Sequence, residues 1–172
     1  MMKYLIRDLW NVVHYMPYVL AAGGLICLFA FPVAWVQRRR GKETGSLLPG
    51  ICFWTYLLLL LTITFLSRES NGNIRIDLQI GSSLGINARN DAYVIENILL
   101  FVPYGFFYTM MGRHRSGFRN SLFIGLLTSF GVECLQLVSG RGIFQIDDII
   151  TNTVGCVFGF LICKVIYMIV RK

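Results

Sequence analysis

Apolar runs about twenty residues long, separated by short charged segments, limit what this chain can fold into more than any other feature of its sequence. A helix of that length crosses the ~30 Å hydrocarbon core of a bilayer. Only 15% of the 172 residues are charged and 55% are hydrophobic, whereas a soluble domain carries roughly 25% charged residues. The pattern predicts an all-α, polytopic transmembrane helical bundle with about five spans, at residues 15–36, 47–66, 94–112, 120–138 and 146–170.

The predicted spans leave little chain for a soluble domain, so we expect a single membrane domain at residues 15–172. Residues 1–14 are predicted to form an amphipathic lead-in, because their apolar residues repeat at helical spacing. Asp8 and Asn11 interrupt the apolar core that a signal peptide needs.

The basic residues lie at the ends of the apolar runs, which accounts for the net charge of +7 without a nucleic-acid partner. Lys and Arg are enriched in cytoplasmic loops. The denser basic set is on the side that holds the C-terminus, so the N-terminus is predicted outside and the C-terminus in the cytoplasm. This set comprises Arg38, Arg39, Arg40, Lys42, Arg113, Arg115, Arg119, Arg171 and Lys172.

The chemistry-bearing patterns of common enzymes do not stand out in the sequence. All five cysteines fall inside apolar runs and the two histidines lie in different segments, so neither a disulfide framework nor a metal site is expected. There is no phosphate-binding loop, dinucleotide fingerprint or nucleophile elbow, and no cofactor is expected.

Polar and ionisable side chains inside the predicted spans are the main functional signal, because such groups are costly in a bilayer. Under the topology above, all of them fall at the outer ends of their helices. We therefore predict that they line a polar cleft that opens outward. They are Glu96 and Asn97 in the third span, Glu133 and Gln136 in the fourth, and Asp147, Asp148 and Asn152 in the fifth.

The fourth and fifth spans each carry a stripe of residues that changes from small to polar toward the outside. Small residues let helices approach closely in a membrane, so the two stripes are expected to pack against each other. The stripes are Gly125, Ser129, Glu133 and Gln136 in the fourth span, and Asp148, Asn152, Gly155 and Gly159 in the fifth.

Two further residues are expected at the cleft. Arg141, in the loop between the fourth and fifth spans, is a candidate ion-pair partner for the carboxylates of either span. Pro103 removes the helical hydrogen bond to the carbonyl of Leu99. It should therefore kink the third span and free a carbonyl to line the cleft.

A purely structural role is the alternative for all of these residues. Polar side chains between membrane helices stabilise their association by ~0.6 kcal/mol per hydrogen bond, and Asp147 and Asp148 also suit the start of a helix. The polar segment at residues 67–93 contains an alternating stretch at 74–80, which predicts either an extracellular strand or an interfacial helix.

Three short motifs occur in order along the chain: N-x-x-x-F-x-P-x-G at residues 97–105, E-x-x-Q at 133–136, and R…D-x-x-x-N-x-x-G at 141–155. Their order and spacing resemble those of the VanZ-like family of small bacterial membrane proteins, over residues 57–166. Gly105 belongs to the first motif. The chain departs from the family pattern where a proline-containing stretch often precedes the third span, and where Tyr104 replaces a common Leu.

The resemblance implies a multi-pass protein of the bacterial cell membrane. The family takes its name from a protein that gives low-level resistance to teicoplanin, a lipoglycopeptide, but the resemblance implies no reaction. The first hypothesis is a non-enzymatic envelope protein that binds or occludes a lipoglycopeptide or a wall-precursor lipid among the membrane lipids. The alternatives are an intramembrane enzyme with Glu133 and Asp148 as an acid–base pair and Arg141 on a phosphate, and a small transporter that acts as an oligomer.

Overall fold

The computed structural model describes residues 17, 21, 24, 47–66, 75–83, 85, 88–112 and 117–170. The predicted lead-in lies outside the described residues. So does the predicted first span, apart from Pro17, Ala21 and Gly24, which are helical.

Four long helices make up most of the described part of the chain. They are α1 (Leu47–Leu61, continued by a π-helical turn at Thr62–Leu66), α2 (Ala88–Met111), α3 (Phe118–Val138) and α4 (Ile146–Val170). All four are long and apolar enough to cross a membrane. This confirms the predicted class, an all-α polytopic bundle, and α4 has the bounds predicted for the fifth span.

The third predicted span begins earlier than expected, because α2 starts at Ala88 rather than at residue 94. A polar first turn precedes the apolar run. Asp91 lies in that turn, where the helix dipole favours a carboxylate. Arg89, in the same turn, donates from its Nε to the hydroxyl of Tyr93 at 2.9 Å, a pair at the i, i+4 spacing that supports a helix. Hydropathy alone does not detect such a turn.

A two-stranded parallel sheet lies at one end of the helices. It consists of β1 (Arg75–Asp77) and β2 (Ile143–Gln145), in a register that pairs Ile76 with Phe144. Parallel strands need a long crossover connection, and α2 and α3 supply it here. Of the two alternatives for the polar segment, residues 75–77 therefore form the strand.

Helices α2 and α4 run in parallel with their backbones in contact. The carbonyls of Ile98 and Val102 lie against Gly155 and Gly159 respectively, and a Cβ at either glycine would overlap with them. This close approach is the packing that small residues allow in a membrane, where dispersion and weak polar contacts hold helices together.

The prediction that the α4 stripe packs against the stripe of α3 is therefore wrong for Gly155 and Gly159, which face α2. The polar part of the stripe does contact α3, through Ser129. On α3, Gly125 instead contacts Cys156 and Thr153 of α4. A helix turns by about 100° per residue, so Cys156 and Thr153 lie to one side of the glycines. Because α4 lies between two helices, it uses one side for each neighbour.

Helix α1 packs against α2 through aromatic side chains. The ring centroids of Phe53 and Tyr104 are 5.3 Å apart, and the hydroxyl of Tyr56 donates to the carbonyl of Leu100 at 2.6 Å. Helix α2 continues without interruption through Pro103.

Candidate polar site at one end of the bundle

The charges of the described residues are divided between the two ends of the bundle. We call the end where α1 and α3 finish, and α2 and α4 begin, the polar end. Basic residues lie at both ends: Arg75, Arg89 and Arg141 at the polar end, and Arg119 and Lys164 at the other. All of the described carboxylates belong to the polar end, either in the sheet and loops or within the adjoining helical turns: Asp77, Asp91, Glu96, Glu133, Asp147 and Asp148.

Glu133 joins α3 to the sheet. Its side chain is only 1% exposed, and its Oε2 accepts a hydrogen bond of 3.0 Å from the backbone N–H of Gln145 in β2. An ionised acceptor makes such a bond stronger than a neutral one. Glu133 therefore fixes the position of β2 over the end of α3.

Asp147, in the first turn of α4, holds the loop that follows β1. Its Oδ1 accepts from the N–H of Gly81 and its Oδ2 from the N–H of Ser83, both at 2.8 Å. The hydroxyl of Ser82 also donates to Oδ2, at 3.4 Å. Gly81 has φ +83°, a conformation that L side chains rarely adopt. We call residues 78–83 the 78–83 loop.

Asp77 orders the same loop from its other end. The hydroxyl of Ser82 donates to its Oδ2 at 2.7 Å and the N–H of Gln79 to its Oδ1 at 3.0 Å. These hydrogen bonds, first that from Ser82 and then that from Gln79, lower the pKa of Asp77 below its ordinary value of 3.8. The loop therefore connects two carboxylates, one in β1 and one in α4.

Gln136 and Arg141 cap the carbonyl end of α1. Gln136 Nε2 donates to the carbonyl of Thr64 at 3.1 Å, and Arg141 Nη1 donates to that of Phe65 at 3.0 Å. The last carbonyls of a helix lack partners within the helix and carry partial negative charge. The expected ion pair of Arg141 with a carboxylate is thus replaced by a helix cap, and its guanidinium lies 5.9 Å from the Phe65 ring centroid.

Asn152 connects α4 to α3 inside the bundle. Its Nδ2 donates to the hydroxyl of Ser129 at 2.8 Å, and that hydroxyl lies 3.4 Å from the backbone carbonyl of Asp148, to which it donates. Asn152 is 4% exposed, and its Oδ1 has no hydrogen-bond partner among the described residues. Ser121 Oγ shares this property further along α3. A buried acceptor without a donor is rare in folded proteins.

The structure brings six of the predicted site residues to the polar end. Gln136 and Arg141 cap α1, and the other four belong to three local networks. These are Glu133 with the sheet, Asp147 with the 78–83 loop, and Asp148, Ser129 and Asn152 between α3 and α4. Asn97 lies half-buried in α2. Gly105 is not at the polar end but at the α2–α4 contact, against the carbonyl of Cys156.

Sequence reasoning missed the residues that the carboxylates bind. Gly81, Ser82 and Ser83 meet Asp147, and Gln145 meets Glu133. Most of these contacts use backbone N–H groups, which carry no residue-specific signal. The Gly-Ser-Ser sequence at residues 81–83 was the one signal for these contacts, because glycine followed by serines is typical of a turn with exposed amides.

Among the described residues, no group of three or more His, Cys, Asp or Glu side chains could hold a metal ion. The four described cysteines, Cys52, Cys134, Cys156 and Cys163, are free. An apolar groove of about 290 Å³ between α1 and α2 includes Cys52 and Phe107 and none of the predicted site residues.

These features define a multi-pass membrane protein whose helices meet in a buried acidic network at one end. The VanZ/LLP1 family model matches residues 53–167. The chain therefore belongs to the VanZ/LLP1 family, which confirms the resemblance of its motifs. No curated protein and no solved structure matches the chain.

Proposed function

We propose that this VanZ/LLP1-family protein acts at the outer leaflet of the bacterial cell membrane. There its polar end binds the head group of an amphiphile, a lipoglycopeptide or a wall-precursor lipid, and so contributes to resistance of the teicoplanin type. The N-terminus is outside and the C-terminus in the cytoplasm in this proposal. The sequence supports this orientation, because the predicted topology puts nine Lys and Arg residues on the cytoplasmic side and six, including Arg75, Arg89 and Arg141, on the outer side.

The observation that carries the proposal is the Oδ1 atom of Asn152, which is buried and has no donor among the residues that the structure describes. Ser129 already occupies the amide nitrogen of the same side chain. An unpaired acceptor of this kind costs about 1–3 kcal/mol, and a head group that donates a hydrogen bond to it, next to Asp148, would offset that cost. Hydroxyl and amine groups are such donors, and sugar-bearing head groups are rich in them.

The closed arrangement of the polar end implies a step before binding. Glu133 is 1% exposed, and Asp148 is also buried. The hydrogen bonds from Gly81 and Ser83 to Asp147 keep the 78–83 loop on the start of α4. In the proposed function, the head group enters when these bonds break and the loop moves aside.

The enzymatic alternative gains no support from the contacts of Arg141. The contact that Arg141 makes is with the end of α1, where its Nη1 donates to the carbonyl of Phe65. The binding role needs only acceptors, which the polar end supplies.

The test is the drug susceptibility of cells that express conservative variants. Glu133→Gln and Asp148→Asn each replace a carboxyl group by an amide of the same shape, which keeps an oxygen that accepts hydrogen bonds. We expect the minimal inhibitory concentration of teicoplanin to fall to that of cells without the protein. Asp91→Asn is the matched control, because it removes a carboxylate of the polar end that holds only the N–H of Gly85.

Membrane levels of all variants are measured by immunoblot in the same cells. Full resistance in both site variants, at wild-type levels of protein, would show that the buried carboxylates have no part in resistance.

A further inference from the structure

The polar end carries a set of apolar side chains that are exposed in the part of the chain that the structure describes. Ile76 in β1 is 60% exposed, and Leu78 and Ile80 in the 78–83 loop are 63% and 73% exposed. They are separated by Asp77 and Gln79, so polar and apolar residues alternate. We call Ile76, Leu78 and Ile80 the apolar edge.

Hydrogen bonds to two carboxylates hold the apolar edge in place. Asp77 binds the hydroxyl of Ser82, and Asp147 binds the backbone on either side of that residue. Both carboxylates therefore act on the polar side of the loop and leave its apolar side chains pointing away. Since Asp147 is in the first turn of α4, the edge lies level with the point where a membrane-spanning helix begins.

A continuous apolar strip connects this edge with the lipid-facing surface of α3. Ile76 is the register partner of Phe144, and partners in a ladder project from the same face of a sheet. The ring of Phe144 lies 5.9 Å from that of Phe130, edge to face. Phe130 is itself half exposed, in the middle of a helix that is long and apolar enough to span the bilayer.

We propose that the apolar edge is inserted among the lipids of the leaflet at the polar end. The strip from Phe130 through Phe144 to Ile76 carries the lipid-facing surface of α3 onto the sheet, and Leu78 and Ile80 extend it. Exposed apolar clusters of this kind mark interaction sites, and the surface with which this one is continuous faces acyl chains. The sheet and loop thus lie at the boundary between head groups and acyl chains, and not in bulk water.

The inference is independent of the proposed binding of a head group. It assigns the sheet and the 78–83 loop to the membrane surface, whatever ligand the polar end takes. If the apolar edge is inserted, the 78–83 loop contacts lipid on one side and Asp147 on the other, and both contacts restrict its motion.

Tryptophan fluorescence in vesicles that contain brominated phospholipids measures this insertion. Leu78→Trp is made in a background where Trp10, Trp35 and Trp54 are replaced by phenylalanine. Leu127→Trp, on the exposed side of α3, is the positive control, and Gln79→Trp is the matched control one residue along the loop. We expect blue-shifted emission at position 78, quenched by the brominated lipid nearly as strongly as at position 127 and more strongly than at 79.

Equal quenching at positions 78 and 79, with the red-shifted emission of water-exposed tryptophan, would overturn the proposal. A second measurement leaves the native tryptophans in place. A benzophenone amino acid replaces Leu78, and irradiation of the reconstituted full-length protein is expected to add the mass of one phospholipid. Cross-linking to a second copy of the chain, or no adduct beyond that formed at position 79, would instead show that lipid does not cover the edge.

Discussion

Gly155 of α4 lies directly against the backbone carbonyl of Ile98 in α2. The contact sets the height of α4 relative to α2. It therefore also sets the level at which Asn152 and Asp148, one and two turns earlier in α4 respectively, meet α3. A stripe of small residues near the middle of the bundle thereby positions a polar network at its end.

Replacement of Gly155 by alanine should destabilise the bundle by about 1–3 kcal/mol, since a Cβ would overlap with the Ile98 carbonyl and force α2 and α4 apart. Thermal unfolding in detergent micelles measures the change. Gly131→Ala on α3 is the control, because a Cβ there meets no heavy atom within 4 Å. Equal unfolding temperatures for the two variants would show that the close approach carries no stability.

Removal of the Asp147 carboxylate should loosen the 78–83 loop. In Asp147→Ala the N–H groups of Gly81 and Ser83 lose their acceptors, and a lost bond of this kind corresponds to about 1–3 kcal/mol. Hydrogen exchange of these two amides should accelerate by about tenfold or more, while Asp147→Asn, which keeps one oxygen acceptor, gives a smaller effect. Unchanged exchange in Asp147→Ala would mean that other contacts hold the loop.

The Asp77–Ser82 hydrogen bond makes the loop sensitive to acid. The pKa of Asp77 is lowered in the folded chain, so its stabilising effect is present above the ordinary value of 3.8 and is lost as the pH falls through the lowered pKa. A carboxyl titration by NMR should give a pKa below 3.8 for Asp77. In Ser82→Ala the pKa of Asp77 should rise toward 3.8, because the hydrogen bond that lowers this pKa most is gone. An unchanged pKa in that variant would assign the shift to the Gln79 amide.

The proposed orientation predicts which side of the cell membrane reaches each end of the bundle. Gln79→Cys and Gly117→Cys place a thiol at exposed positions, the first at the polar end and the second at the other end. A membrane-impermeant thiol reagent applied to intact cells should label position 79 and not 117. The wild-type chain, with its native cysteines, gives the background, and the reverse pattern would place the polar end in the cytoplasm.

The sequence predicted the four described helices, because each needs about twenty apolar residues. It placed the start of α2 six residues too late, because that first turn is polar. It also predicted that Glu133, Asp147 and Asn152 lie at the same end of the bundle. The sequence did not show which groups these residues bind. Arg141 was expected beside a carboxylate and instead caps α1, since a helix carbonyl end competes for the same cation. The glycines of α4 were assigned to the wrong neighbour, since spacing along one helix does not show which of two helices its small face meets.

Binding of teicoplanin and of a wall-precursor lipid to the purified protein in nanodiscs tests the central claim most directly. Wild type is compared with Glu133→Gln, Asp148→Asn and the control Asp91→Asn, each verified as folded by its unfolding temperature. The account predicts that one of the two amphiphiles binds to wild type and to Asp91→Asn, and at least about tenfold more weakly to each site variant. Equal affinity in all four proteins, or no binding to any of them, would contradict a head-group site at the polar end.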